Sequence, residues 1–464
     1  MRSFEVIVVG AGSAGCVVAA RLSATHDVLL VEAGPASLPA ELRRLSQPIR
    51  APYDWGDTVD SDNRALKYAR GRVVGGSSAT NGAVALRPEP EDFHTWPAGW
   101  SWDDMLPRLN RIEHDLDFGD RPYHGTGGPI PITRHAPADW APFQAAFAHG
   151  CAVVGMPRCA DHNAPLATGV GAIPINRQGR TRVSNAAAYL AGAGDRVTVR
   201  ADTHVARVVV EGGRAVGVEL VDGTILRAGR VVLAAGVVQT PLLLARSGLA
   251  DDNPHIGRHL TDHAVVSFAA RIDPDTVPDD APTLQVIAKA TARRRHDLQL
   301  TPVARRNADG TRELDISVSL QLPDGAGTVT PTGPGADAPA RITWPFVGVS
   351  DNVARLREGR RLAVEVARGS GILVDSRDVD RAAALTDAEV DDLIRRTHYA
   401  FYHGVGTCRM ADDPADGVVD PTCAVFGVRA LHIVDASVIP TVPRSNTHLL
   451  VTALAERWCD LDAA

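Results

Sequence analysis

The chain has 464 residues, of which 45% are hydrophobic and 22% charged, the composition of a folded globular protein and not of a disordered one. Its length implies two structural domains rather than one small core. The 48 Lys and Arg against 55 Asp and Glu give a formal charge of −7, which leaves no basic footprint for nucleic acid.

At the N-terminus Arg2, a short apolar run and Ser13-Ala14-Gly15-Cys16 could be misread as a lipoprotein-type signal. Glu5 and the glycines that interrupt the run argue against it. The same residues fit a β-α-β unit: an apolar strand from Phe4 to Val9, a helix from Ser13 to Ser23, and a second strand from Asp27 to Val31 that ends at Glu32. From Asp92 to about Asn110 the polar pattern with Trp96, Trp100 and Trp102 predicts loops and helix starts leaving the first domain. The Gly- and Pro-rich stretch from Tyr123 to Pro137 predicts connections and strand edges.

Strands are then predicted at Val197 to Arg200, Val205 to Glu211, Ala215 to Leu220 and Val231 to Ala234. The last has a continuous apolar run and reads as a central parallel strand. Between Ile272 and Pro345, short alternating runs such as Leu314 to Leu322 predict the antiparallel sheet of a second domain, with residues 323–340 as a mobile Pro/Gly/Asp loop. An amphipathic helix from Val353 to Arg368 follows, then a strand from Leu431 to Asp435 and a last helix from about Leu449.

Cys16, Cys151, Cys159, Cys408, Cys423 and Cys459 are spread without a C-x-x-C pair, so no zinc site or disulfide framework is expected, and free thiols suit a reducing cytoplasm. No run approaches the roughly 20 apolar residues of a membrane span.

The strongest chemical signal is Gly10-Ala11-Gly12-Ser13-Ala14-Gly15, placed between the first strand and its helix, with Glu32 closing the second strand. In that context it is a dinucleotide fingerprint. Gly10 permits the tight turn, Gly12 lets backbone approach a pyrophosphate at the helix N-terminus, Gly15 lets helix and strand pack closely, and Glu32 can accept hydrogen bonds from a ribose. The fingerprint does not separate FAD from NAD. A second glycine-rich stretch, Arg70-Gly71-Arg72-Val73-Val74-Gly75-Gly76-Ser77-Ser78-Ala79-Thr80-Asn81-Gly82, is either a tight loop or a place where backbone approaches a ligand.

With these segments in hand, the sequence resembles the glucose-methanol-choline (GMC) family of FAD-dependent oxidoreductases along essentially its whole length. Gly71 to Asn81 looks like the family's first signature, and Val231 to Gly236 through Thr240-Pro241 to Ser247-Gly248 like the second. Gly257 to His263, His403 to Met410 and Asp435 to Thr441 follow in the family's order. The resemblance implies a doubly wound, Rossmann-like α/β FAD domain assembled from residues 1–105, 181–262 and 399–464. A smaller α+β substrate domain on an antiparallel sheet would take 106–180 and 263–398.

The resemblance further implies FAD held by Gly10, Gly12, Ser13, Ala14, Gly15 and Glu32 on the ADP side, with Val205 meeting adenine through its backbone. Val74, Gly75, Ser78, Asn81, Gly82, Ala83 and Val84 would lie along the flavin and ribityl chain, and Asp435 and Ala436 near the pyrophosphate. Thr80 stands where some members carry a histidine bonded to the flavin, so non-covalent FAD is expected.

His403 corresponds to the family's active-site histidine and Asn446 to its second active-site position. Both types suit alcohol oxidation: an imidazole can accept the hydroxyl proton, and an amide can donate to the developing alkoxide. His448 is expected beside the site, while His259 and His263 are expected to be structural, and Cys408 a small packed residue. A finer resemblance is to short bacterial members associated with the redox carrier mycofactocin. It implies a reduced carrier or another alcohol as donor, a quinone, respiratory-chain component or oxygen as acceptor, and a cytoplasmic location or one against the inner face of the membrane. A lyase, a photodecarboxylase or an electron relay of the same fold are the competing expectations.

Overall fold

The structure is a computed structural model that describes residues 4–45, 51–279 and 281–463. The predicted β-α-β unit opens the chain as β1 (Phe4–Val9), α1 (Ser13–Leu22) and β2 (Val28–Val31). These strands are apolar at successive positions because both faces of the sheet are covered. The sheet runs Val197–Arg200, β2, β1, Ile225–Leu233, Arg214–Leu220 and Val205–Glu211, with Leu431–Ile433 also parallel to Ile225–Leu233. The helix Thr447–Asp462 packs against α1 and is buried along most of its length.

The strand expected at Val231 to Ala234 begins earlier, at Ile225. Its first half alternates because it pairs antiparallel with Arg214–Leu220; parallel pairing with β1 begins at Ala228, and only Val231, Val232 and Leu233 of the strand are buried. One strand therefore carries two periodicities.

The second sheet is antiparallel in the order Tyr399–Ala400, Ala264–Ile272, Arg312–Leu320, Leu298–Arg306, Val286–Ala290 and Gly169–Ala172. The helix Ser350–Gly369 lies across it, one turn longer than the amphipathic pattern implies. Residues 323–340 are not simply a loop. Thr328–Pro331 and Ala340–Thr343 pair as a hairpin, and the second of these also pairs with Thr58–Ser61. Two large hydrophobic clusters lie under the two sheets. No helix among the described residues is long and apolar enough to cross a membrane.

A buried ion network ties the segment 87–161 together. Arg87 donates to Glu113 at 3.2 Å, and Arg134 to Asp115 at 2.9 Å and Asp161 at 2.8 Å. His124 bridges Glu113 at 2.7 Å and Asp161 at 2.9 Å. Glu113, Asp115 and His124 bring ligand atoms within 4.8 Å of one another, but two guanidiniums and an imidazolium already balance the three carboxylates. Burial opposes the charge on His124, yet its bonds to Asp161 and Glu113 outweigh burial and hold the imidazole up at about 9.

This raised value sets a pH dependence. The folded state binds the proton more tightly than an unfolded histidine of about 6.5, so the contribution is complete below that pH and disappears as pH rises through about 9. His124→Gln should therefore lose on the order of 2 kcal/mol at pH 6 and much less at pH 10 in denaturant unfolding. An equal loss at both pH values would remove the imidazolium from the network.

Candidate active site

One cavity of about 630 Å³ runs between the N-terminus of α1 and the loops of the second sheet. Gly10, Gly12, Ser13 and Ala14 line one part of it, together with Glu32 and Val205. No side chain caps α1, so its first-turn N–H groups face the cavity as donors for an anion. A Cβ on Gly12 would meet no protein atom closer than the Ala234 carbonyl at 3.9 Å; it would project into the cavity. Glu32 accepts from the backbone of Ala11 and of Gly34, both at 2.9 Å. Burial pushes its carboxyl up to about 7 against those bonds.

The other predicted positions divide. Asn81, Gly82, Val84, Asp435 and Ala436 line the cavity, whereas Gly15, Val74, Gly75, Ser78 and Ala83 stand behind its wall. Gly75 has φ +102° and donates to the Ala11 carbonyl at 2.7 Å, locking the second glycine stretch onto the first. Ser78 Oγ accepts from Asn185 N at 2.9 Å, and Val74 and Ala83 are packed into hydrophobic clusters. Asp435 accepts from Gly236 N at 2.8 Å, Thr240 Oγ1 at 2.7 Å and Ser437 N at 2.8 Å. It thereby anchors the start of the helix Gly236–Arg246 beside the cavity.

His403 and Asn446, 43 residues apart in sequence, meet at the far part of the cavity, where Asn446 Nδ2 lies 3.0 Å from His403 Nε2. Asn446 is the N-cap of the helix Thr447–Asp462, but its side chain makes no capping bond. Asparagine is a preferred cap, so spending its amide on His403 breaks a local rule in favour of the site. The His403 backbone N–H donates to Asp262 Oδ1 at 2.8 Å, and its ring stands edge-on to Phe401 at 4.8 Å between centroids. Burial, then the neighbouring His263 and Arg70, hold the His403 imidazole well below its ordinary value, so the ring is neutral.

His448 also lines the cavity, and its Nε2 donates to Asn185 Oδ1 at 2.9 Å. Cys408 is buried, and burial raises its thiol well above the ordinary value, which makes it inert. His263 departs from expectation: its Nδ1 lies 3.0 Å from His403 Nδ1, in direct contact with the site. Sequence reasoning also missed Tyr399, Phe401 and Leu284 in the wall. Tyr399, Phe401, Tyr402 and His403 put four rings into five consecutive positions, all lining the cavity, with Tyr402 turning the chain at φ +68°; that aromatic cluster was present in the sequence.

The chain matches the family model described as GMC oxidoreductase over residues 4–265, and the model of the family's C-terminal part over residues 323–455. It is 33% identical to an uncharacterised GMC-type oxidoreductase in the thcA 5′ region of Rhodococcus erythropolis, over 98% of this chain and 97% of that protein. It is 30% identical to 5-(hydroxymethyl)furfural oxidase of Methylovorus sp. (strain MP688), over 98% of both. The crystal structure of pyridoxine 4-oxidase from Mesorbium loti superimposes with a TM-score of 0.88 at 29% identity, covering 98% of each chain. The chain therefore belongs to the GMC oxidoreductases, flavoenzymes that act on CH–OH donors.

Proposed function

We propose that this chain oxidises an alcohol to an aldehyde or ketone, with His403 as the base and FAD bound non-covalently. The observation that carries the reading is the His403–Asn446 pair, 3.0 Å apart, in the same cavity as the uncapped glycine turn. The backbone of Gly12, the first turn of α1 and Glu32 would hold the ADP half; Asn81, Gly82 and Val84 would lie along the flavin half. When bound, FAD supplies the hydride acceptor. The residues of the chain do the rest.

The neutral His403 ring takes the hydroxyl proton at Nε2 once the substrate hydroxyl displaces the Asn446 hydrogen from that lone pair, and the freed Asn446 Nδ2 then donates to the substrate oxygen as charge develops. Both groups are half-buried and open onto the cavity, where a substrate can reach them. Thr80, which lines the cavity, has no side chain able to bond covalently to a flavin as histidine does, and this supports non-covalent binding. Acid precipitation should release all the flavin into the supernatant.

For the donor, we carry the reduced mycofactocin reading alongside simple alcohols, with a quinone or respiratory component as acceptor. Its support is length: the alignment to the furfural oxidase spans 530 positions against the 464 residues of this chain, so segments are missing here. The test is the anaerobic visible spectrum with a panel of alcohols and, separately, reduced mycofactocin. Bleaching of the flavin band identifies the donor. Bound flavin that no donor reduces would move the assignment to a relay or a non-redox flavoprotein.

Asn446→Asp should slow flavin reduction by roughly 10²-fold, the usual cost of losing one donor to a developing oxyanion. A carboxylate beside His403 Nε2 also favours the imidazolium. The acid limb of the stopped-flow rate should therefore move to higher pH, and an unmoved limb would separate position 446 from the base.

A further inference from the structure

We propose that His263 is a positioning residue that decides which nitrogen of His403 carries the proton, an inference that rests on His403 being the base. His263 is fully buried, and its Nε2 lies 2.8 Å from the carbonyl of Pro443. A carbonyl only accepts, so this Nε2 carries hydrogen. Among the described residues the ring has no carboxylate partner, and burial pushes its pKa down to about 4 against the pull of the Pro443 and Gln321 carbonyls, so it is neutral and, with Nε2 holding the hydrogen, its Nδ1 is bare.

That bare Nδ1 lies 3.0 Å from His403 Nδ1. Two bare nitrogens at this distance repel, so His403 Nδ1 carries the hydrogen and donates it. His403 is also neutral, which leaves its Nε2 as a lone pair directed at Asn446 Nδ2. The chain of bonds from Pro443 through His263 thus presents the basic nitrogen of His403 to the side of the cavity that holds Asn446. It also fixes the Asn446 amide with nitrogen, and not oxygen, toward the ring.

The relay has no charged member. In the arrangement where a buried aspartate orients a histidine base, the carboxylate selects the tautomer and also stabilises the imidazolium. Here the nearby carboxylate, Asp262, is engaged by the His403 backbone N–H at 2.8 Å. Selection is done by a neutral imidazole, so the base is oriented without being made strongly basic. The anchoring carbonyl, Pro443, lies three residues before Asn446, so one loop sets both halves of the site.

His263→Phe keeps a ring of similar size but removes the acceptor; His263→Asn restores an acceptor near the Nδ1 position. In the flavin-loaded enzyme, His263→Phe should slow reduction by an alcohol about 10- to 100-fold with KM changed less than about threefold, and His263→Asn should recover most of that loss. A structural role would instead move flavin content and KM together and would not be rescued by asparagine. That result, or an unchanged rate in His263→Phe, overturns the proposal.

Should neither variant fold, ¹⁵N-histidine spectra of the wild-type protein decide. His403, assigned by its loss in His403→Ala, must show Nε2 as the lone-pair nitrogen and Nδ1 as the N–H; the opposite tautomer overturns the proposal. Because these spectra do not depend on turnover, they also distinguish failure of the relay from failure of His403 as base, which normal reduction of His403→Ala would reveal.

Discussion

His403→Ala is expected to give a folded protein that retains flavin yet is reduced by its alcohol donor on the order of 10²–10⁴ times more slowly. Folding should survive because the bond from position 403 to Asp262 is made by the backbone N–H and remains in alanine. Losing the ring leaves His263 Nδ1 without its donor, a cost of about 1–3 kcal/mol. Chemistry should not survive, since Asn446 cannot accept a proton usefully and His448 is committed to Asn185.

The same ring sets a pH signature. His403 lies well below its ordinary value, so the wild-type reduction rate should stay level as pH falls past 6.5 and drop only at more acid pH. Its linkage sign is opposite to that of His124. As pH falls, the unfolded chain takes up the His403 proton first, so stability declines below about 6.5, and His403→Ala should be less acid-sensitive than wild type. Stopped-flow reduction at the wild-type rate in the alanine variant would sink the assignment of the base.

What the sequence disclosed follows from how local each signal is. β1, α1 and β2 were legible almost to the residue because apolar runs and glycine punctuation lie within 32 consecutive positions. The 328–343 hairpin was illegible because the strand that completes its sheet, Thr58–Ser61, lies far upstream, and Pro, Gly and Asp dominate the intervening composition. His403 and Asn446 could be named from motif context, but the role of His263 could not. Its partners, His403 and Pro443, are 140 and 180 residues away, and no periodicity encodes such a meeting. The second glycine stretch shows a further limit: sequence marks it as a place of close approach without saying which residues face the cavity. Gly75 uses its positive φ to dock backbone on backbone, while Asn81 and Gly82 reach the cavity.

The glycine fingerprint supplies the other large effect, because two of its members should fail in different ways. A Cβ at Gly15 would lie 1.9 Å from the Gly10 carbonyl oxygen and 3.3 Å from Ala234 Cβ. Backbone cannot yield as a flexible side chain can, so Gly15→Ala must push α1 away from β1 and open the core beneath it. We expect a stability loss of about 3 kcal/mol or more, together with loss of flavin, because the displaced helix N-terminus no longer faces the cavity. Gly12 already has a negative φ of −82°, and its Cβ would enter the cavity with no clash, its one contact the Ala234 carbonyl at 3.9 Å. Gly12→Ala should therefore unfold at the wild-type denaturant midpoint yet purify without flavin, since the methyl group occupies the ground that a pyrophosphate needs. Gly15→Ala purifying yellow at wild-type stability would contradict the helix-strand contact. Gly12→Ala retaining full flavin would mean that the cofactor does not approach the backbone there, and the ADP half of the site would have to be assigned elsewhere.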